Sequence, residues 1–115
     1  LQRFKPDLIA VASGFDSSVF DPLGRMLVTA EGYRNMTRRL MDVADEVCGG
    51  KLMMTHEGGY NATYAPFCGL FVLQELSGVT KLPDPFAHGN EYPGHELKAH
   101  EAAIIDEAKK LVAKL

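Results

Sequence analysis

Pro6-Asp7-Leu8-Ile9-Ala10-Val11-Ala12-Ser13-Gly14-Phe15-Asp16 is the stretch on which the fold class turns. Lys5-Pro6-Asp7 breaks the chain, because proline lacks a backbone donor and restricts the residue before it. The run 8–13 then carries no charge at all, the mark of a parallel strand buried on both faces. Gly14 ends it. Ahead of the break, Leu1-Gln2-Arg3-Phe4 has the look of the last turn of a helix.

A second strand pattern lies further on, at Lys51-Leu52-Met53-Met54-Thr55-His56-Glu57, stopped by Gly58-Gly59. Between the two, Asp21-Pro22-Leu23-Gly24 is a turn signal. Thr29 is placed to cap a helix, with Glu31 in its first turn. Tyr33, Met36, Leu40, Val43 and Val47 recur at helical spacing as one apolar face, and Arg34, Arg38, Asp42, Asp45 and Glu46 read as solvated. Gly49-Gly50 supplies the left-handed stop. Asn61 is placed to cap a further helix through the apolar run 68–73, closing near Gly78. Residues 80–93 read as a loop. A final helix is expected over 95–115, with Leu97, Ile104, Ala108, Leu111 and Leu115 on one stripe. Strands alternating with helices predict an α/β fold with a parallel sheet. Residues 1–78 form the expected core, and 79–115 an appended loop and helix. Two strands are few for three helices, so the rest of the sheet is expected elsewhere.

Composition narrows the function. The 115 residues are 46% hydrophobic and 23% charged, as in ordinary globular domains. Twelve Lys+Arg against fifteen Asp+Glu give a net charge of −3 and a pI near 5.8, a poor basis for gripping phosphates. No apolar run approaches the roughly 20 residues of a membrane span. Nucleic acid and membrane are therefore not expected partners. Cys48 and Cys68 sit singly in apolar surroundings and read as buried thiols in a reducing compartment. An intracellular protein in the cytoplasm is the expectation. An open sheet edge would also allow self-association into a homo-oligomer.

Ligands of α/β folds gather at the carboxyl ends of parallel strands. The first strand leads to Asp16, and the second to His56-Glu57-Gly58-Gly59-Tyr60. Asp16 fits two roles: a rigidly held metal ligand or acid–base group, or the cap of a turn through backbone amides two residues on. Asp21, before Pro22, reads as a turn initiator. Tyr60 fits a hydrogen-bond donor to an oxyanion, or an amphipathic ring packed at the base of the next helix. His56 reads as a pocket residue or as a satisfied, partly buried histidine. His95 and His100 are five apart rather than the four of a metal-binding His-Glu-x-x-His helix, so that motif fails. No phosphate loop supports a flavodoxin-like nucleotide binder.

Five segments in order carry a resemblance: Pro6-Asp7-Leu8-Ile9, Ser13-Gly14-Phe15-Asp16, Asp21-Pro22-Leu23-Gly24, Thr29-Ala30-Glu31-Gly32-Tyr33 and Glu57-Gly58-Gly59-Tyr60-Asn61. Together they resemble the zinc-dependent histone deacetylases and their prokaryotic relatives, the histone-deacetylase-like amidohydrolases and acetylpolyamine amidohydrolases. The class II branch is the nearest in pattern. The likeness runs over residues 6–78 and covers the C-terminal portion of that family's catalytic domain, an arginase/deacetylase-like three-layer fold with a parallel sheet. It implies Zn2+ as cofactor and an acylated amine, such as acetyl-lysine or acetylpolyamine, as substrate. It implies Asp16 as one of three metal ligands and Tyr60 as the catalytic tyrosine. It further implies Leu23 as an apolar wall of the substrate channel, and Gly58 and Gly59 as glycines that admit the substrate closely. The family's Asp-x-His ligand pair and its paired histidines have no counterpart here. Two expectations follow. Either the chain is the C-terminal segment of a longer amidohydrolase, inactive alone, or it is a non-catalytic truncated relative serving as a binding or structural module.

Overall fold

The structure, a computed structural model, describes residues 1–79, 82–87 and 96–114. Its elements run β1 (Ile9–Ser13), α1 (Ala30–Cys48), β2 (Leu52–His56), α2 (Ala65–Ser77) and α3 (Ala99–Ala113). Residues 1–5 make one turn, closed by the Lys5 N–H donating to the Leu1 carbonyl at 2.9 Å. β1 and β2 pair in parallel with Ile9 opposite Leu52 and Ser13 opposite His56. Both strands therefore stop level, and the loops that follow them leave the sheet at the same edge.

The sheet departs from the expectation of burial on both faces. Ile9 is buried and Val11, Ser13 and Met54 are half-buried, whereas Ala10, Ala12, Met53 and Thr55 are exposed. The two helices α1 and α2 pack mainly on each other and cover one face only.

α1 starts and stops where the sequence signals it. Thr29 Oγ1 accepts from the Gly32 N–H at 3.0 Å. At the other end Gly49 takes φ 63, and the Gly50 N–H donates to the Ala44 carbonyl at 3.0 Å. The buried stripe, however, is rotated from the predicted one: Ala30, Tyr33, Arg34, Thr37 and Ala44 face inward, and Met36 lies exposed. Arg34, expected in solvent, is 6% exposed. Its guanidinium donates to Glu31 at 2.7 Å and Gln74 at 2.6 Å, and stacks 3.9 Å over the Phe71 ring. A planar cation can enter an interface in this way because a carboxylate, an amide and an aromatic face replace its water. Arg38 likewise forms an ion pair with the buried Glu75.

Asn61 acts one turn earlier than expected. Its side-chain oxygen accepts from the N–H groups of Thr63 at 3.0 Å and Tyr64 at 2.9 Å, and α2 begins only at Ala65. That turn delivers the buried Tyr64 to the core, where Phe15, Ala30, Tyr33, Cys68, Phe71 and Val72 also meet. Cys68 is fully buried, and desolvation pushes its thiol up to about 12. Cys48 is only half-buried. α3 starts with the Lys98 N–H donating to Glu101 at 2.8 Å and buries none of its residues, so the stripe through Ile104 and Leu111 is exposed. Residues 80, 81, 88–95 and 115 lie outside the described residues, and with them His88, His95 and most of the expected loop. Among the described residues no helix is long and apolar enough to cross a membrane.

Phe71 is 1% exposed and carries both the core and the Arg34 stack. Phe71→Ala is expected to cost about 3–5 kcal/mol, read as a lowered urea midpoint by circular dichroism.

Candidate functional site

The level ends of β1 and β2 are laced together by backbone bonds. The Glu57 N–H donates to the Ser13 carbonyl at 3.2 Å, and the Phe15 N–H to the Gly58 carbonyl at 2.6 Å. Phe15 then turns inward, meeting the Tyr33 ring edge-on with centroids 5.1 Å apart and lying 5.1 Å from the His56 ring. With its neighbour anchored in the core, Asp16 is left at the sheet edge, half-buried.

Its carboxylate lies over two glycines. A Cβ at Gly14 would stand 2.9 Å from Asp16 Oδ1. A Cβ at Gly58 would overlap the carboxylate outright and come within 3.3 Å of the Tyr60 hydroxyl. The side chain that Gly58 lacks is thus the gap across which Asp16 and Tyr60 meet. Gly59 does something else. At φ 142 it presses on the core, where a Cβ would stand 2.9 Å from the Phe15 Cβ and 3.3 Å from the Ala65 Cβ. It serves the docking of the loop rather than the space beside Asp16.

Among the described residues the Asp16 carboxylate accepts no hydrogen bond, so the turn-capping role is not the one it fills. Asp21 fills it instead. Its Oδ1 accepts from the N–H groups of Leu23 at 2.8 Å and Gly24 at 2.9 Å. Its Oδ2 reaches across the chain to the Tyr60 N–H at 2.8 Å. Asp21 is 8% exposed. Burial alone would push its carboxyl up, but the donors at Gly24, Tyr60 and Leu23 prevail and hold it below the usual carboxylate range. The bond to Tyr60 is the feature that sequence reasoning missed. Asp-Pro-x-Gly accounts for one oxygen of Asp21, and nothing local points to a partner 39 residues away.

Leu23 is held at the turn tip through its N–H, and the residue is 69% exposed. Tyr60 is 58% exposed. The site is therefore an open rim: Asp16, Gly58 and Tyr60 converge, and Leu23 is linked to them through Asp21. His56 stacks on Phe15 and is exposed. The Tyr33 hydroxyl is buried beside the Ser17 side chain. Burial, with smaller contributions from Cys68 and Asp16, pushes it up to about 12.

Among the described residues no three histidine, cysteine, aspartate or glutamate side chains converge. A zinc site needs three protein ligands. Asp16 supplies one oxygen donor, too few to hold the ion.

Comparison with known proteins gives the chain its family. The profile of the histone deacetylase domain matches residues 1–76. A histone deacetylase-like amidohydrolase of Pseudomonas aeruginosa is 53% identical over 79 residues, covering 69% of this chain and 21% of that protein. Histone deacetylase 8 of Arabidopsis thaliana is 44% identical over 114 residues, covering 95% of this chain and 28% of that protein. Among solved structures, the HDA15 HD domain matches with a TM-score of 0.59 at 33% identity, over 77% of this chain and 25% of that one. The chain thus spans about a quarter of the length of the proteins it matches. It belongs to the histone deacetylase domain family.

The overlap at Gly58 has a measurable consequence. Gly58→Ala is expected to lower stability by about 1–3 kcal/mol in chemical denaturation. Adding Asp16→Ala should recover most of that loss, since it removes the atoms that the new methyl would strike.

Proposed function

We propose that this member of the histone deacetylase family is the C-terminal part of a zinc-dependent amidohydrolase that removes an acetyl or other acyl group from an amine. Acetyl-lysine and acetylpolyamines are the substrates that fit the reading. In it the chain is seated in a three-layer arginase/deacetylase fold. Asp16 contributes one metal ligand, and further ligands come from residues beyond these.

The observation that carries the proposal is the meeting, across Gly58, of a carboxylate that accepts no hydrogen bond among the described residues and the hydroxyl of an exposed tyrosine. A structural aspartate at a strand end would be consumed by backbone amides, as Asp21 is. In this reading Tyr60 donates its hydroxyl hydrogen to the acyl oxygen and gains strength as negative charge builds there. Gly58 leaves the acyl group room to lie between the two side chains. Leu23 offers an apolar lip to the alkyl stem of the amine. A second reading, a non-catalytic module, draws on the single ligand that the described residues supply.

Tyr60→Phe in the full-length polypeptide separates the two. Turnover of an acetyl-lysine peptide or an acetylpolyamine is expected to fall about 100- to 1000-fold, with zinc content unchanged by metal analysis. Equal turnover by the variant would remove Tyr60 from the mechanism, and an inactive wild-type polypeptide would favour the module.

A further inference from the structure

We infer that Asp21 is the positioning residue of Tyr60, and that the second oxygen of its carboxylate sets where the tyrosine hydroxyl stands. The inference rests on the reading of Tyr60 as the oxyanion donor and adds a residue that acts through it.

Tyr60 needs such a support. The residue is more than half exposed, so packing does little to fix it. The two residues before it are glycines, and the loop bends through φ 142 at Gly59. Backbone of this kind is free to swing unless a bond holds it. Among the described residues, the hydrogen bond that ties Tyr60 to another segment is its N–H to Asp21 Oδ2, at 2.8 Å.

Asp21 suits the task. It is itself fixed by two backbone donors on its other oxygen and is almost fully buried. The Asn61 side chain, next to Tyr60, also donates to the Phe20 carbonyl at 2.7 Å, next to Asp21. The two loops are therefore clamped at adjacent positions. A turn-forming aspartate uses one oxygen for the amides that follow it. Here the second oxygen points away from the turn and toward Tyr60. A catalytic group displaced by about 1 Å can lose roughly 100-fold in rate.

Asp21→Asn tests this in the full-length, zinc-loaded polypeptide with an acetyl-lysine peptide as substrate. The amide keeps one acceptor oxygen and places a donor where the other stood, so either the turn or the Tyr60 N–H loses its partner. The expected result is a fall in kcat of about 10- to 100-fold, with KM within about twofold and zinc content equal to wild type. In a Tyr60→Phe background the same substitution should add no further loss of kcat, because the hydroxyl it positions is gone. Asp21→Glu keeps two acceptor oxygens one methylene further out and should restore part of the lost rate. If the Asn variant fails to fold, Asp21→Glu carries the same cycle. Coupling to Tyr60→Phe supports the inference, and additive losses overturn it in favour of a purely structural role. Loss of turnover in Tyr60→Phe together with full turnover in Asp21→Asn overturns this inference alone. Full turnover in Tyr60→Phe overturns the reading of Tyr60 and the role of Asp21 with it.

Discussion

The Phe15 N–H bonded to the Gly58 carbonyl holds the structure's two working loops together, and much of the rest depends on it. The bond extends the parallel pairing one step past the strands, so the loops leave the sheet in register rather than splaying. The Phe15 ring meanwhile fills the core between α1 and α2, touching Tyr33 on one side and lying under Gly59 and Gly69 on the other. One residue therefore fixes the loops to each other by its backbone and to the core by its side chain. Asp16, the next residue along, inherits that rigidity, and its carboxylate accepts no hydrogen bond among the described residues.

Most of the local structure was legible in the sequence, because local structure follows local signals. The run 8–13 gave β1 to within one residue, and Thr29 and Gly49 bounded α1. What periodicity could not supply was the direction α1 faces. The apolar spacing from Tyr33 to Val47 marks a stripe, but α2 packs on the neighbouring one through Ala30, Arg34 and Thr37. Only the partner helix makes Arg34 an inward residue, since Gln74 and Phe71 come from it. The exposed face of the sheet has a similar origin. A charge-free strand such as the run 8–13 announces that both faces are to be covered, and the described residues furnish a cover for one.

The candidate site divides along the same line. That Asp16 and the Tyr60 loop share one edge follows from two parallel strands ending together, and this was readable from the strand ends. That their side chains meet across Gly58 is a property of the folded loops and leaves no local mark in the sequence. The pair Gly58-Gly59 shows why. In the sequence the two glycines are equivalent, yet one opens space between two polar groups and the other lets the loop lie against Phe15 and Ala65. Only the second combines a positive φ with close core contact. A glycine pair read from sequence alone signals backbone freedom, and the geometry decides which use is made of it.

Asp21 carries that reasoning to its end. Its turn is encoded within four residues, and any Asp-Pro-x-Gly would make it. Its hold on Tyr60 is encoded nowhere locally, because the donor is a backbone N–H that every residue except proline possesses. A buried carboxylate with three backbone donors is fully satisfied, so it has no reason to titrate near neutral pH or to bind anything further. Such a group is well suited to hold a neighbour in place and poorly suited to react. Asp16 is the reverse case, a carboxylate at the same edge whose acceptors are unused among the described residues. Two aspartates five residues apart are thus sorted by how many backbone N–H groups each receives: the satisfied one gives the loop its shape, and the unsatisfied one faces the tyrosine hydroxyl.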